Sequence, residues 1–294
     1  MAVETIGSAA RPRRQLPGWL ASLGLLRESW IGMAGLAIIL FWVAVAILAP
    51  WLAPFDPNIN NYDAGVAAPP FVAPHWLGTD DQARDILSRV MWGSRIVLTV
   101  APFATLCGYI VGCVLGLLAG YYRGWVDTLI MQICNIILSF PVLVLYVIIM
   151  MKFGPSALNI IAAVTFIASP QVARLVRSQT LELREREYVA AAHIRGEPDW
   201  YVMLVEILPN ARGPLIVDAC LRTGYTAITI GVLGFLGVGL RPPDPDWGGM
   251  IRDTYSYLLG GQIHMALAPA IALSSLVVGF SLLADGIREI SMKD

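Results

Sequence analysis

Asp218 and Arg222 lie four residues apart in an otherwise apolar segment, which puts an acid and a base on one helix face. Asp80, Asp81 and Asp85 offer carboxylates close enough to serve a cation, or to cap and solvate a helix start. Asp218 or Asp285 would supply the acid or base of a membrane enzyme, but the rest of such a site is missing. The sequence holds no Gly-x-Ser-x-Gly, no His-Glu-x-x-His and no Cys-x-x-Cys pair. His75, His193 and His264 are far apart. A phosphate loop needs Gly-x-x-x-x-Gly-Lys-Ser/Thr, whereas Lys152 and Lys293 each follow a methionine. The glycines from Gly231 to Gly239 therefore read as packing. Cys107, Cys113, Cys134 and Cys220 read as reduced thiols used as small hydrophobes. No catalytic group, metal or cofactor is expected on this chain.

The elements that must position these residues follow from composition. Of 294 residues 57% are hydrophobic and only 14% charged, with a net charge of −1 and a mean hydropathy of +0.67. A soluble domain averages about 25% charged residues. Uncharged apolar runs of about twenty residues are long enough to cross a hydrocarbon core of about 30 Å. A cytosolic enzyme, a secreted disulfide scaffold and a disordered chain are excluded, and no basic stripe suits nucleic acid. The runs are Ile31–Leu52, Ile96–Tyr121, Thr128–Met151, Ala157–Ala173, Pro214–Leu240 and His264–Ala284, the fifth being uncharged except for Asp218 and Arg222. They predict an all-α integral membrane protein with six transmembrane helices in contact with membrane lipid. Residues 1–28 read as a tail, 29–93 as the first helix with its external loop, and 94–294 as a five-helix core. Arg11, Arg13, Arg14 and Arg27 of the tail share a side with Arg174, Arg177, Arg184, Arg186 and Arg195. That bias places both termini in the cytoplasm.

Two connections exceed simple turns. Ala53–Gly93 is external, extended around Pro54, Pro57, Pro69 and Pro70, with a short amphipathic helix expected over Gln82–Met91. The cytoplasmic connection, 174–210, holds a helix-forming stretch from Arg177 to Ile194 without proline or glycine. Gly196 stops it. Pro198 suits the first turn of a second helix, and Asp199 suits its positive end. Trp200, Met203, Leu204 and Ile207 then form an apolar stripe, and Pro209 closes the unit. Such a stripe must be buried under the bundle, at lipid headgroups, or in a groove of a soluble partner.

Tyr188-Val-Ala-Ala-Ala-His-Ile-Arg-Gly196, then Pro198-Asp-Trp-Tyr and Ile207-Leu-Pro-Asn210, resembles the cytoplasmic signature loop of bacterial ABC-importer permeases. The family's Glu-Ala-Ala triplet falls on Ala190, Ala191 and Ala192, so alanine stands where glutamate is usual; Glu187 is the candidate substitute. His75-Trp-Leu-Gly-Thr-Asp-Asp-Gln-Ala-Arg-Asp-Ile-Leu-Ser-Arg89 is similar to the external motif of the C-type, second permease of oligopeptide, dipeptide and nickel importers. Tyr121-Tyr-Arg-Gly-Trp-Val-Asp-Thr128, Leu138-Ser-Phe-Pro141, Phe235-Leu-Gly-Val-Gly-Leu-Arg-Pro-Pro243 and Asp246-Trp-Gly-Gly-Met250 resemble further segments of that subfamily in the same order. The resemblance implies the ABC-importer permease fold in a bacterial inner membrane. It also implies partners: a homologous permease, two ATPase subunits holding ATP and magnesium, and an external substrate-binding protein. Peptides are the implied cargo, with nickel or another small solute as the alternative. Gly196, Pro198 and Asp199 would shape the coupling turn, and Trp200, Met203 and Leu204 would anchor it in the ATPase. Asp218 and Arg222 would pack helices or line the path.

Overall fold

The computed structural model describes residues 29–71 and 74–291, and the arginines of the tail lie outside them, as does Lys293. All the long elements are helices. In chain order they are α1 (Trp30–Leu52), α2 (Ile86–Tyr122), α3 (Gly124–Leu138), α4 (Val142–Phe153), α5 (Ala157–Leu183) and α6 (Glu187–Ile194). There follow α7 (Asp199–Tyr201), a π-helical stretch over Val202–Ile207, α8 (Leu208–Asn210), α9 (Arg212–Phe235), α10 (Trp247–Thr254) and α11 (His264–Ser291). Five of these are long and apolar enough to cross a membrane, and α3 with α4 forms a sixth, broken span bent by 84°.

The central pair is α2 and α5. Gly108, Gly112, Gly116 and Gly120 of α2 lie against Ala168, Val172, Val176 and Thr180 of α5. The pairing advances in step along both helices, so they run parallel. Two parallel spans need a returning crossing between them, which makes the bent α3–α4 pair one span and the total six among the described residues. A β-carbon on Gly112, Gly116 or Gly120 would sit 2.5–2.6 Å from the facing helix, so bare backbone is what permits this approach. The outer pair, α1 and α11, runs antiparallel. Gly32 meets Gly286, Trp42 Nε1 donates to Ser275 Oγ at 2.9 Å, and Ser29 Oγ donates to Glu289 at 2.8 Å. The start of α1 and the end of α11 thus share one end of the bundle.

Several expected boundaries are corrected. The run Thr128–Met151 is not one helix, because Pro141 has no N–H and biases Phe140 away from helical geometry. The amphipathic helix expected over Gln82–Met91 is instead the first turns of α2, which is uninterrupted from Ile86. Its charges had split it from the span in the sequence. Arg89, only 3% exposed, donates from Nη1 to the Pro57 carbonyl at 2.8 Å, and Arg95 stacks on Trp92 at 4.8 Å. The helix expected over Arg177–Ile194 breaks at Arg184–Arg186. After the break, Val189 and Ala192 are buried in the core with Val176 and Val202. The fifth span ends at Phe235 rather than Leu240, where Gly237 takes φ +78° and Val238 N–H closes on Leu233 at 3.0 Å.

The external motif folds into a buried polar knot. Asp85 caps α2 through Ser88 N–H at 2.7 Å and accepts from His75 Nδ1 at 2.8 Å. His75 Nε2 in turn lies 3.2 Å from the Asn61 amide nitrogen. Asp80 pairs with Arg84 at 2.7 Å. These buried charges are compensated by one another and by backbone, as buried charges must be. Nearby, Asp246 caps α10 through Gly248 and Gly249 N–H and touches Gly234. Burial pushes its carboxyl up to about 6, against the lowering effect of those two N–H groups. A folded-state value above the ordinary 3.8 means the folded chain holds a proton that the unfolded chain has released. Stability therefore falls as pH rises from about 4 to about 6. Asp246→Asn is expected to flatten that part of the pH–stability curve, measured by thermal unfolding of the purified chain in detergent.

Candidate functional site

The cytoplasmic connection builds two short helices joined at Gly196. Gly196 takes φ +78°, its N–H donates to His193 O at 3.0 Å, and Glu197 N–H reaches Ala192 O at 3.2 Å. These two bonds satisfy the last carbonyls of α6 and turn the chain sharply. Pro198 is extended and stands just before α7, so it caps the helix rather than entering its first turn. Arg195 braces the unit, with Nη2 donating to Glu206 at 3.0 Å.

The apolar stripe is divided between two surfaces. Val202, Met203 and Ile207 are buried against Leu117, Tyr121, Val176 and Val189. Trp200 is 60% exposed and Leu204 51%, with Val205 beside them. Met203 therefore packs under its own bundle, contrary to the expectation that it faces a partner. Met203 and Leu204 are neighbours in the helical stretch Val202–Ile207 and so point in different directions around its axis; Met203 is the one that meets the bundle. Pro209 does not end the unit either. It is the middle residue of α8, and only Ala211 separates that turn from α9. Ala190 and Ala191 are exposed while Ala192 is fully buried. Glu187 opens α6 on the exposed side.

Asp218 and Arg222 do form a pair, Nε to Oδ2 at 2.6 Å. Sequence spacing did not show that Tyr109 of α2 also donates to Asp218, or that Arg222 Nη1 donates to Gln171 of α5 at 2.7 Å. Three helices meet at this partly exposed cluster, well away from the Gly196 turn. A second missed group is Tyr121, whose hydroxyl joins His193 at 2.9 Å and Asp199 at 2.8 Å. No spacing signal announces it, since its partners lie 72 and 78 positions further on.

Residues 112–293, which hold Gly112, Gly116 and Gly120 of the parallel packing, the split stripe and the Asp218–Arg222 pair, match the family described as "binding-protein-dependent transport system inner membrane component". The chain belongs to that family. Residues 23–75 match the N-terminal transmembrane domain of oligopeptide transport permease C. Among similar proteins is the glutathione transport system permease protein GsiD of Pectobacterium atrosepticum, 38% identical over 90% of this chain and 87% of its own. The dipeptide transport system permease protein DppC of Alkalihalophilus pseudofirmus is 36% identical over 92% and 88%. A GsiD from Escherichia coli O6:K15:H31 is 37% identical over 90% and 86%. The chain is thus a non-catalytic, multi-pass permease subunit of the inner membrane, and it works with ABC partner subunits.

Proposed function

We propose that this permease serves an importer of dipeptides or glutathione, as the second of two homologous permease subunits. Two cytosolic ATPase subunits, which hold ATP and magnesium, drive it, and an external binding protein delivers the solute. The observation that carries the reading is the match over about nine-tenths of both chains to relatives named for glutathione and dipeptide transport. ATP binding closes the ATPase pair, the helices flanking Gly196 move with it, and the bundles exchange inward-open for outward-open states as rigid bodies.

The exposed half of the stripe supports a docking role: Trp200 and Leu204 stand outward on a braced helix, with Glu187, Ala190 and Ala191 exposed on the helix before the turn. A tagged chain purified from native membranes in mild detergent is expected to bring a second permease, ATPase subunits and a binding protein, whose bound solute names the cargo. A chain recovered alone, under conditions that preserve other such complexes, would overturn the assignment. Trp200→Ala is expected to weaken retention of the ATPase roughly thirty-fold, the effect of losing an aromatic anchor worth about 2 kcal/mol. Met203→Ala acts on the other surface: it lowers the chain's own stability by about 2–3 kcal/mol and leaves ATPase retention per folded molecule unchanged.

A further inference from the structure

We infer that Tyr121 is a positioning residue that locks the Gly196 turn to the end of α2, so that displacement of the turn is passed directly to that membrane helix. The inference rests on the coupling role proposed for the turn and adds a specific linkage to it. Tyr121 stands in the last turn of α2 and is 6% exposed, among Leu117, Val189 and Val202. Its hydroxyl sits between two groups from opposite sides of the turn: His193 of α6, Nε2 at 2.9 Å, and Asp199 of α7, Oδ1 at 2.8 Å. The Arg184 guanidinium lies over the ring, 5.5 Å from its centre, at the break where α5 gives way to α6.

Proton accounting fixes the direction of both bonds. A phenol has one proton, and here it is donated to the Asp199 carboxylate, which can only accept. His193 must then carry its proton on Nε2 and donate it to the phenol oxygen. The chain His193 N–H to Tyr121 O–H to Asp199 uses the phenol once as acceptor and once as donor, and it spans Gly196 without touching it. The exposed glycine turn has few contacts of its own: a β-carbon on Gly196 would meet nothing within 4 Å. A push on α6 or α7 would flex such a turn if nothing tied the two helices together. Through Tyr121 they move as one with α2, and α2 is packed by its glycines along α5. Tyr109, on the same helix as Tyr121, reaches Asp218, which extends the connection to the intramembrane cluster.

The test compares transport with ATP hydrolysis in the assembled importer, reconstituted with its binding protein in proteoliposomes. Labelled glutathione and a labelled dipeptide are the probes. Tyr121→Phe keeps the buried ring and removes only the shared hydroxyl. The expected result is an assembled complex with ATP hydrolysis within about twofold of the parent and solute moved per ATP reduced on the order of tenfold. His193→Gln, whose amide nitrogen replaces the Nε2 donor, is expected to retain most coupling, whereas His193→Leu loses it. Tyr121→Phe combined with Asp199→Ala, which leaves no acceptor, should lose no more than Asp199→Ala alone, because both remove the same hydrogen bond. Normal solute moved per ATP in Tyr121→Phe would overturn the inference, as would losses that multiply in the double variant. A Tyr121→Phe complex that fails to assemble or fails to bind its ATPase would assign the hydroxyl a structural role and also overturn it. Gly196→Val in the same liposomes separates the two levels: if that variant also transports normally, the coupling role of the turn falls with the lock. If it does not, only the lock falls.

Discussion

Gly196→Val is expected to abolish transport while the chain still inserts in the membrane. The structure locates the cause in the backbone rather than in crowding. Gly196 is exposed, and a β-carbon there meets nothing within 4 Å, but its φ of +78° lies in the left-handed region. A β-branched residue in that region costs about 1–3 kcal/mol. That cost is enough to depopulate the Gly196 turn by roughly five- to 150-fold. The two bonds that close α6, from Gly196 to His193 and from Glu197 to Ala192, depend on that φ. Their loss releases α7 from its angle and moves Trp200 off the surface it shares with Leu204. Gly196→Asn is the discriminating companion, since asparagine tolerates left-handed φ far better than valine. Solute uptake by cells carrying each variant, normalised to permease in the membrane, is expected to rank Gly above Asn and Asn far above Val. Equal uptake by the valine and parent chains would remove the turn from the mechanism.

Gly116→Val is expected to have the largest effect on the fold itself. A β-carbon at Gly116 would lie 2.6 Å from the Ala173 carbonyl oxygen and 2.6 Å from Val176 Cβ. The oxygen belongs to the α5 backbone and cannot rotate away, so the helices must separate along their length. Overpacking a core already costs about 1–3 kcal/mol when side chains can adjust; here they cannot, and the loss exceeds that range. Separation also undoes the neighbouring contacts of Gly112 with Val172 and of Gly120 with Thr180. Yield of monodisperse protein in detergent and its thermal midpoint should both collapse. Gly260→Ala is the control: nothing lies within 4 Å of its added carbon, and the midpoint should not move. A stable Gly116→Val chain would mean that α2 and α5 do not approach as closely as this packing requires.

Much of this architecture is written locally. Apolar runs of sufficient length specify spans because a peptide group in hydrocarbon has no other donor or acceptor available than its own helix. The pairing of Asp218 with Arg222 is equally local, since four residues return to the same helix face. The turn at Gly196 was legible from glycine followed by proline and aspartate. The period-four glycines of α2 were visible in the sequence as well, although hydropathy alone gives them no special standing. The bend between α3 and α4 had its signal in Pro141, overlooked because an apolar run hides a break in the backbone.

What local pattern leaves open is which surface each residue faces. Trp200, Met203 and Leu204 share one hydrophobic stripe, and only contact with Leu117, Tyr121 and Val176 decides that Met203 is inside while the other two remain outside. The break at Arg184–Arg186 runs against the helix propensity of its own residues, because burying Val189 and Ala192 outweighs a few hydrogen bonds. The Asp246 carboxyl is raised above its ordinary value by the depth at which α9 and α10 enclose it. The sequence by itself therefore determined the spans, the pair on α9 and the turn at Gly196, all of which arise between near neighbours in the chain. The tertiary structure alone decided the partners of Tyr121, the inward face of the stretch Val202–Ile207 and the parallel seam of α2 with α5. Those depend on groups far apart in sequence, brought together by packing that no local periodicity encodes.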